Sequence, residues 1–307
     1  METKYILLFT LLLLLGGCKE DDSVAKDDLL NVIQKAKTVL AESEEGIKEG
    51  DYAPGSKSKL QTSIDWAYFI LDNSYSDEAY TNAVSTLNSA IDIFYTNTVK
   101  VGIPYFNLGS KMNLGPCGDW NFEDSFTFEC RVRYVEFASG DQNIISCEGG
   151  TGGWMLRSSG NVIQFYINDG GNWNGCVTPV LELNRWYHVA VSYRQGSEII
   201  LYLDGKKVAG SPCNKLSLTP TMILQIGTSP SYADRYMRGY IQDVSLWKDV
   251  RTEQEVSADI QCDFNGTEEG LNAYWPLNLN LGSEIEDITG NHVAIMTNLT
   301  WESEIIE

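Results

Sequence analysis

Histidine is nearly absent from this 307-residue chain: His188 and His292 are its only two. So few imidazoles argue against any large histidine-based metal or acid–base machinery, because histidine is the side chain that titrates near neutral pH. Basic residues are scarce as well, with 22 Lys+Arg against 42 Asp+Glu and a formal charge of −20. A nucleic-acid partner would need a basic footprint for its phosphates, so that class of partner is set aside. Docking onto anionic lipid is disfavoured for the same reason. No run approaches the roughly eighteen apolar residues of a membrane-spanning helix. Against these absences stand 43% hydrophobic and 11% aromatic residues, enough for a sizeable core and too many for global disorder. The length exceeds what one core of about 250–300 residues supports and predicts two domains. Seven cysteines, an odd number, need a separate account.

Lys4 precedes a hydrophobic run from Ile6 to Leu15, and Gly16-Gly17-Cys18 follows it. Such a run reaches about 15 Å as a helix, half the hydrocarbon core, and reads as the h-region of a signal peptide. Leu15-Gly16-Gly17-Cys18 resembles the bacterial lipobox. That resemblance implies removal of residues 1–17, acylation of Cys18 and the outer-membrane lipid as a partner. Lys19-Glu20-Asp21-Asp22 resembles the export signal of Bacteroidetes lipoproteins, which implies a location on the outer membrane facing the exterior. Cleavage removes Glu2 and Lys4, so the mature charge stays −20. Acyl chains would supply the anchoring that an acidic surface lacks. Residues 18–26 then form a tether.

Residues 27–100 carry helical periodicity. Leu29, Leu30, Ile33, Ala36 and Leu40 form a first apolar stripe, ended by Gly46 and Gly50. Pro54-Gly55-Ser56 opens a second helix containing Leu60, Ile64, Ala67, Phe69, Ile70 and Leu71, with Trp66 and Tyr68 expected in its core. Ser76 reads as an N-cap before Asp77 and Glu78, and Ala83, Val84, Leu87, Ala90, Ile91 and Phe94 supply a third stripe. Three helices with short connections predict a small antiparallel bundle. The Gly50-Asp51-Tyr52 turn, Leu60 with Ile64 and Ala67, and Leu87 with Ala90-Ile91 resemble the FIVAR family of three-helix modules, which implies a spacer and not a catalyst.

From Ile103 onward the period becomes two. Phe126–Val132, Val162–Ile167 and Tyr187–Tyr193 alternate, divided by turns rich in Gly, Asn and Ser. About a dozen short strands with no helix between them predict an antiparallel β-sandwich or jelly roll over 103–307. Arg185-Trp186-Tyr187-His188-Val189, Leu201-Tyr202-Leu203-Asp204-Gly205-Lys206, Leu224-Gln225-Ile226-Gly227 and Arg238-Gly239-Tyr240 through Trp247 carry a recognisable pattern. With Ala273-Tyr274-Trp275 they resemble the laminin-G-like branch of the concanavalin A-like lectin/glucanase superfamily. These blocks imply the fold and leave the ligand open. Asp204-Gly205 is a two-residue hairpin signal. His188 shares a strand face with Trp186 and Ala190, which makes it a packed residue in preference to a base or ligand.

No catalytic set assembles: there is no G-x-S-x-G elbow, H-E-x-x-H pair or phosphate-binding loop. A glycoside hydrolase of this superfamily needs two carboxylates about 5 Å apart on a strand. Glu284-Ile285-Glu286-Asp287 is the nearest echo and reads as an acidic loop. Glycan binding without catalysis is the favoured function, by stacking on aromatic rings and hydrogen bonding to hydroxyls. Trp120, Trp154, Trp186, Trp247, Trp275 and Trp301 are assigned to the core. Trp173 lies in a loop with Asp169, Asn172 and Asn174, and is the first candidate sugar platform. Tyr232, Arg235 and Tyr236 form the second. Relatives in the superfamily hold Ca²⁺, but Asp141, Asp169 and Asp234 are single acids far apart in sequence, so no cofactor is assigned. A neighbouring glycan-uptake transporter is an expected partner. The alternative is a protein-binding or structural adhesin, and behind it a glycosidase. With Cys18 lipidated, Cys117, Cys130, Cys147, Cys176, Cys213 and Cys262 remain for an expected one to three bridges, among fifteen pairings.

Overall fold

A computed structural model describes residues 23–122, 124–150 and 152–303. Cys18 and the export signal lie outside the described residues. The chain divides into two compact units: one joins the described residues up to Glu42 with Ser58–Ile93, the other joins Ser43–Lys57 with the chain from Phe94 onward.

Three helices build most of the first unit: α1 (Val24–Glu42), α2 (Ser56–Asn73) and α3 (Asp77–Thr96). Each begins where a side chain or turn satisfies free amides. The Ser23 hydroxyl accepts from the Lys26 amide at 3.1 Å, and Ser76 accepts from Ala79 at 3.2 Å. Each helix buries one stripe: Leu29, Ile33, Ala36 and Val39; Leu60, Ile64 and Ala67; Tyr80, Ala83, Leu87 and Ile91. Leu30, Trp66, Tyr68 and Phe69 depart from expectation and are exposed. Trp66 and Tyr68 flank the buried Ala67, and at 3.6 residues per turn both neighbours rotate about 100° away from its stripe.

The second unit is a β-sandwich. Its strands are β1 (Lys100–Val101), β2 (Ile103–Phe106), β3 (Lys111–Pro116), β4 (Ser125–Tyr134), β5 (Asp141–Gly149) and β6 (Gly152–Ser159). Next come β7 (Val162–Asn168), β8 (Trp173–Val177), β9 (Trp186–Arg194), β10 (Glu198–Leu203), β11 (Lys206–Pro212) and β12 (Ile223–Ile226). After β13 (Gly239–Trp247), helix α4 (Glu253–Asp259) intervenes before β14 (Leu271–Trp275), β15 (Leu279–Asn280), β16 (Glu284–Glu286), β17 (Val293–Thr297) and β18 (Thr300–Glu302). One sheet has the order β11-β10-β9-β4-β13-β2-β18, with β14 also on β13; the other runs β16-β17-β3-β12-β5-β6-β7-β8. Every pairing is antiparallel, including a small β1–β15 ribbon.

Alternation decides the layers. Phe126, Phe128, Cys130, Val132 and Tyr134 of β4 meet Ile163, Phe165 and Ile167 of β7 in a single core, where Phe126 and Trp154 lie 4.8 Å apart between centroids. Burying each such side chain contributes about 1.5–3 kcal/mol. Asp204 (φ 49°) and Gly205 (φ 75°) both take the left-handed conformation that a two-residue hairpin with the twist of its strands requires.

Two expectations are corrected. All six described cysteines are free thiols, so the expected bridges are not formed. Five of them are buried as small apolar core residues and only Cys262 is exposed. The β half also contains a helix. Thr252 and Glu255 form a reciprocal capping box at the start of α4, and Val256 docks on Ala190, Ile200 and Tyr202, on the outer face of the first sheet.

Candidate functional site

The hairpin β7–β8 replaces the loop expected around Trp173. Trp173 opens β8 opposite Asn168, and period-two alternation places it on the outer face of the second sheet with Gly175. Tyr166 pairs with Gly175, and a Cβ built there would fall 2.2 Å from the Tyr166 ring. The ring therefore occupies the space a β8 side chain would have taken. Trp173 and Tyr166 are both half-buried on this face, Trp173 lying two residues before the glycine that the Tyr166 ring covers.

Register continues this face across the sheet, where Met155, Ser146, Asn143 and Gln225 are buried. Gly175, Tyr166, Met155, Ser146, Gln225 and Asn113 form one row across β8, β7, β6, β5, β12 and β3. Val177, Gln164, Arg157 and Asn143 form the next. Arg157 donates from Nε to Gln164 at 3.2 Å, pairs with Asp141 and holds its guanidinium 5.5 Å from the Tyr166 centroid. These contacts orient the polar groups without charge excess.

The second candidate segment lies on the same face. The Asn143 amide donates to the Arg235 carbonyl at 3.1 Å, and the Ser231 hydroxyl donates to the Glu148 carbonyl at 2.6 Å. Arg235 pairs with Glu148 at 3.0 Å and Asp141 at 3.5 Å, and stacks 3.9 Å from the centroid of the exposed Tyr232 ring. Tyr236 is half-buried next to the core residue Met237. The β5 end at Glu148 and the β8 end at Trp173 are three strand steps apart, about 14 Å. The structure thus joins Arg235, with Tyr232 stacked on it, to Arg157 through Asp141, while among the described residues no hydrogen bond, ion pair or ring contact links Trp173 or Tyr236 to them.

Asp169 and Asn174 are used differently. Asn174 Nδ2 donates to Asp169 at 2.6 Å and Asn214 Nδ2 to the same oxygen at 2.9 Å, which pins the 213–222 segment to the hairpin. Asn172 is exposed at the hairpin tip. Asp234 is exposed, and Asp141 is neutralised by Arg157 and Arg235. Among the described residues no three His, Cys, Asp or Glu side chains are gathered for a metal ion. Glu284 and Glu286 belong to the edge strand β16 and not to a loop; both are exposed, while Asp287 is buried as an acceptor for the Thr289, Asn291 and His292 amides.

A cluster that the sequence did not reveal lies on the first sheet beneath α4. His188 Nε2 is 3.2 Å from Glu129, and Arg251, 4.0 Å from Glu129, grips Asp259 at 2.7–3.0 Å. Burial pushes the Glu129 carboxyl up to about 7. The void between Glu129, Arg131, His188, Asp243 and Asp259 measures roughly 10 Å³, room for about one water and for no sugar. A wider cleft of about 750 Å³ nearby is bordered mainly by acids, among them Glu255, Asp263, Glu268 and Glu269. Its Trp247 is buried under the Arg251 guanidinium, 3.9 Å from the ring centroid, and offers no platform.

Residues 106–257 match the concanavalin A-like lectin/glucanases superfamily. This segment is a concanavalin A-like domain. Among solved structures, a Bacteroides ovatus protein proposed to bind carbohydrate is similar at 24% identity with a TM-score of 0.55. The match covers 68% of this chain and 62% of that one, so the chain spans less than two thirds of its relative's length. A Limulus polyphemus SAP-like pentraxin (16% identity, TM-score 0.40, 54% of this chain and 82% of that one) and mouse laminin α1 LG4–5 (13%, 0.40, 50% and 42%) are more distant. No curated protein matches.

Proposed function

We propose that this chain is an outer-membrane lipoprotein, anchored through acylated Cys18 and facing the exterior, that captures polysaccharide without cleaving it. The sugar lies along the outer face of the β7–β8 hairpin, stacked on Trp173 and Tyr166 and bonded by Gln164, Arg157 and the Tyr232–Arg235 segment. One observation carries this reading: register sets the half-exposed Trp173 and Tyr166 on the outer face of the β7–β8 hairpin, next to the half-exposed Gln164 and Arg157, and amphipathic sugar rings need that combination of aromatic and polar groups. The concanavalin A-like fold and the Bacteroides ovatus neighbour support it. Glycan capture beside an uptake transporter is the setting it implies.

A glycan array probed with the purified full chain tests the reading. Binding should be lost in Trp173→Ala with the fold intact. Failure to bind any plant, host or microbial glycan overturns it. Mass spectrometry of the Cys18→Ala variant, which should stay unacylated and leave the membrane fraction, tests the anchor separately. A protein-binding adhesin is the second reading, favoured by the exposed Trp66, Phe69 and Tyr75 on the helical unit. A protein partner captured equally by Trp173→Ala, and undisturbed by competing sugar, would establish it.

A further inference from the structure

The outer face of the first sheet has two halves. α4 covers the half holding Glu129, His188 and Ala190. The other half carries a row fixed by register across five strands: Trp186 (β9), Arg133 (β4), Tyr240 (β13), Tyr105 (β2) and Thr300 (β18). All five point away from the core, since Tyr187, Val132, Ile241 and Phe106 point into it. Arg131 and Gln242 pair in the next row toward α4. The rings form one continuous patch: Trp186 and Tyr240 are 6.3 Å apart between centroids, Tyr240 and Tyr105 5.2 Å. Trp186, Tyr240, Tyr105, Arg133 and Gln242 are all half-exposed.

Two guanidinium groups are held against these rings, Arg131 at 5.2 Å from the Trp186 centroid and Arg133 at 5.4 Å from Tyr240. Ring stacking fixes the plane of a guanidinium while leaving its edge free to donate. Arg131 reaches Asp243 at 3.5 Å. Arg133 has no carboxylate partner among the described residues, and its Nε is buried without an acceptor. Gln242 Oε1 on the same face is buried without a donor. The backbone beside it departs from regular strand, with a bulge between Gln242 and Ser245 and Asp243 at φ 52°.

We propose that this face is a second glycan site, selective for sugar chains that carry carboxylates, with Arg133 as the anion-binding residue. A uronate carboxylate accepts from Arg133, on the patch where the Tyr240 hydroxyl already donates to Glu302, and the rings take the C–H face of the sugar. The formal charge of −20 does not forbid this, because exposed charges beyond a Debye length of about 8 Å are screened at physiological salt. The inference shares with the proposed function only the class of ligand, and it depends on none of the residues of β5–β8.

Titration calorimetry of the full chain with an oligogalacturonate, against the uncharged oligogalactoside of equal length, tests it. The acidic oligomer should bind, weaken with rising salt, and lose at least tenfold in affinity, about 1.4 kcal/mol, in Arg133→Gln. Arg133→Lys should recover part of that loss, and Trp173→Ala none of it should show. The inference is overturned if the acidic oligomer does not bind, if Arg133→Gln leaves its affinity unchanged, or if the neutral oligomer binds equally well and responds equally to Arg133→Gln. Should Arg133→Gln fail to fold, Tyr105→Leu serves in its place: unchanged affinity overturns the site. Loss of acidic binding in Trp173→Ala alone would count against this face while leaving β5–β8 standing.

Discussion

Gly175→Ala is the sharpest probe of the β5–β8 face. The added Cβ would sit 2.2 Å from Cδ1 and Cε1 of Tyr166. Carbon atoms pack at about 3.5–4.0 Å, so the ring must retreat by at least about 1.3 Å. Such overpacking costs about 1–3 kcal/mol. Alanine also removes the entropic penalty of a strand glycine, about 0.5–1 kcal/mol, and Gly175 has no left-handed backbone to strain. The net expectation is a loss of about 1–2 kcal/mol in the native background. In a Tyr166→Ala background the clash is gone, and the same substitution should stabilise by about 0.5–1 kcal/mol. The coupling energy is then about 2 kcal/mol, within the range for residues in contact. Urea unfolding of the four proteins, followed by near-ultraviolet circular dichroism of the buried β-sandwich tryptophans, gives the cycle. The same sign for Gly175→Ala in both backgrounds would refute the packing and, with it, the claim that Tyr166 is held as a platform beside Trp173.

Three further outcomes follow from other contacts. Glu129→Gln should have a pH-dependent effect. The folded carboxyl is raised from 4.5 to about 7, so the protonated form is favoured on folding, and that stability is present below pH 4.5 and lost as pH rises to 7. The difference amounts to about 3 kcal/mol at most, so Glu129→Gln should raise Tm relative to the native chain at pH 8 and change it little at pH 4; a larger Tm decrease at pH 8 than at pH 4 contradicts this. Thr252→Ala removes the cap on the Glu255 amide, 3.3 Å away, and should destabilise α4 by about 1 kcal/mol, seen as faster amide exchange over 253–259. Gly205→Ala forces a side chain into a φ of 75° and within 2.9 Å of Ile260 Cδ1, so thermal unfolding should shift down by several degrees; an unchanged Tm would mean the Asp204-Gly205 turn adapts freely.

Local rules made much of the fold legible. Ile163, Phe165 and Ile167 alternate with Gln164 and Tyr166, so the inward face of β7 can be read from five residues. Ser76 and Asp204-Gly205 mark a helix start and a hairpin for reasons confined to one turn of chain. His188 was readable as packed because its neighbours at two-residue spacing set its face. Other features depend on partners far away in sequence. Trp173 looks like a loop residue among glycines and amides, and becomes a strand residue only because Asn168 pairs with it across a tight turn. Trp186 sits in a block that resembles a structural motif, which predicts a core position. Its strand does build the core, through Tyr187 and Val189, while Trp186 itself takes the opposite face. Glu129 gave no signal at all: its burial comes from α4, more than 120 residues later.

The contrast between the two outer faces and the buried cluster bears on catalysis. A glycosidase must bring a substrate between two carboxyls, and the carboxyl that burial raises to about 7, Glu129, faces a void of roughly 10 Å³ bordered by Asp259 and Cys262. Its perturbation follows from burial and an ion-pair network, and networks of that kind shift pKa values without chemistry. The half-exposed rings proposed to meet sugar lie elsewhere, at Trp173 and Tyr166 on one sheet and at Trp186, Tyr240 and Tyr105 on the other. Separate shallow faces of this kind each bind weakly, but a polymer that contacts both gains from effective concentration, by up to 10²–10⁴ for well-matched spans. Long chains bearing both neutral and uronate sugars should therefore bind far more tightly than the matching short oligomers. Combining Trp173→Ala with Arg133→Gln should then erase that length dependence, whereas either substitution alone leaves the other face to hold the chain.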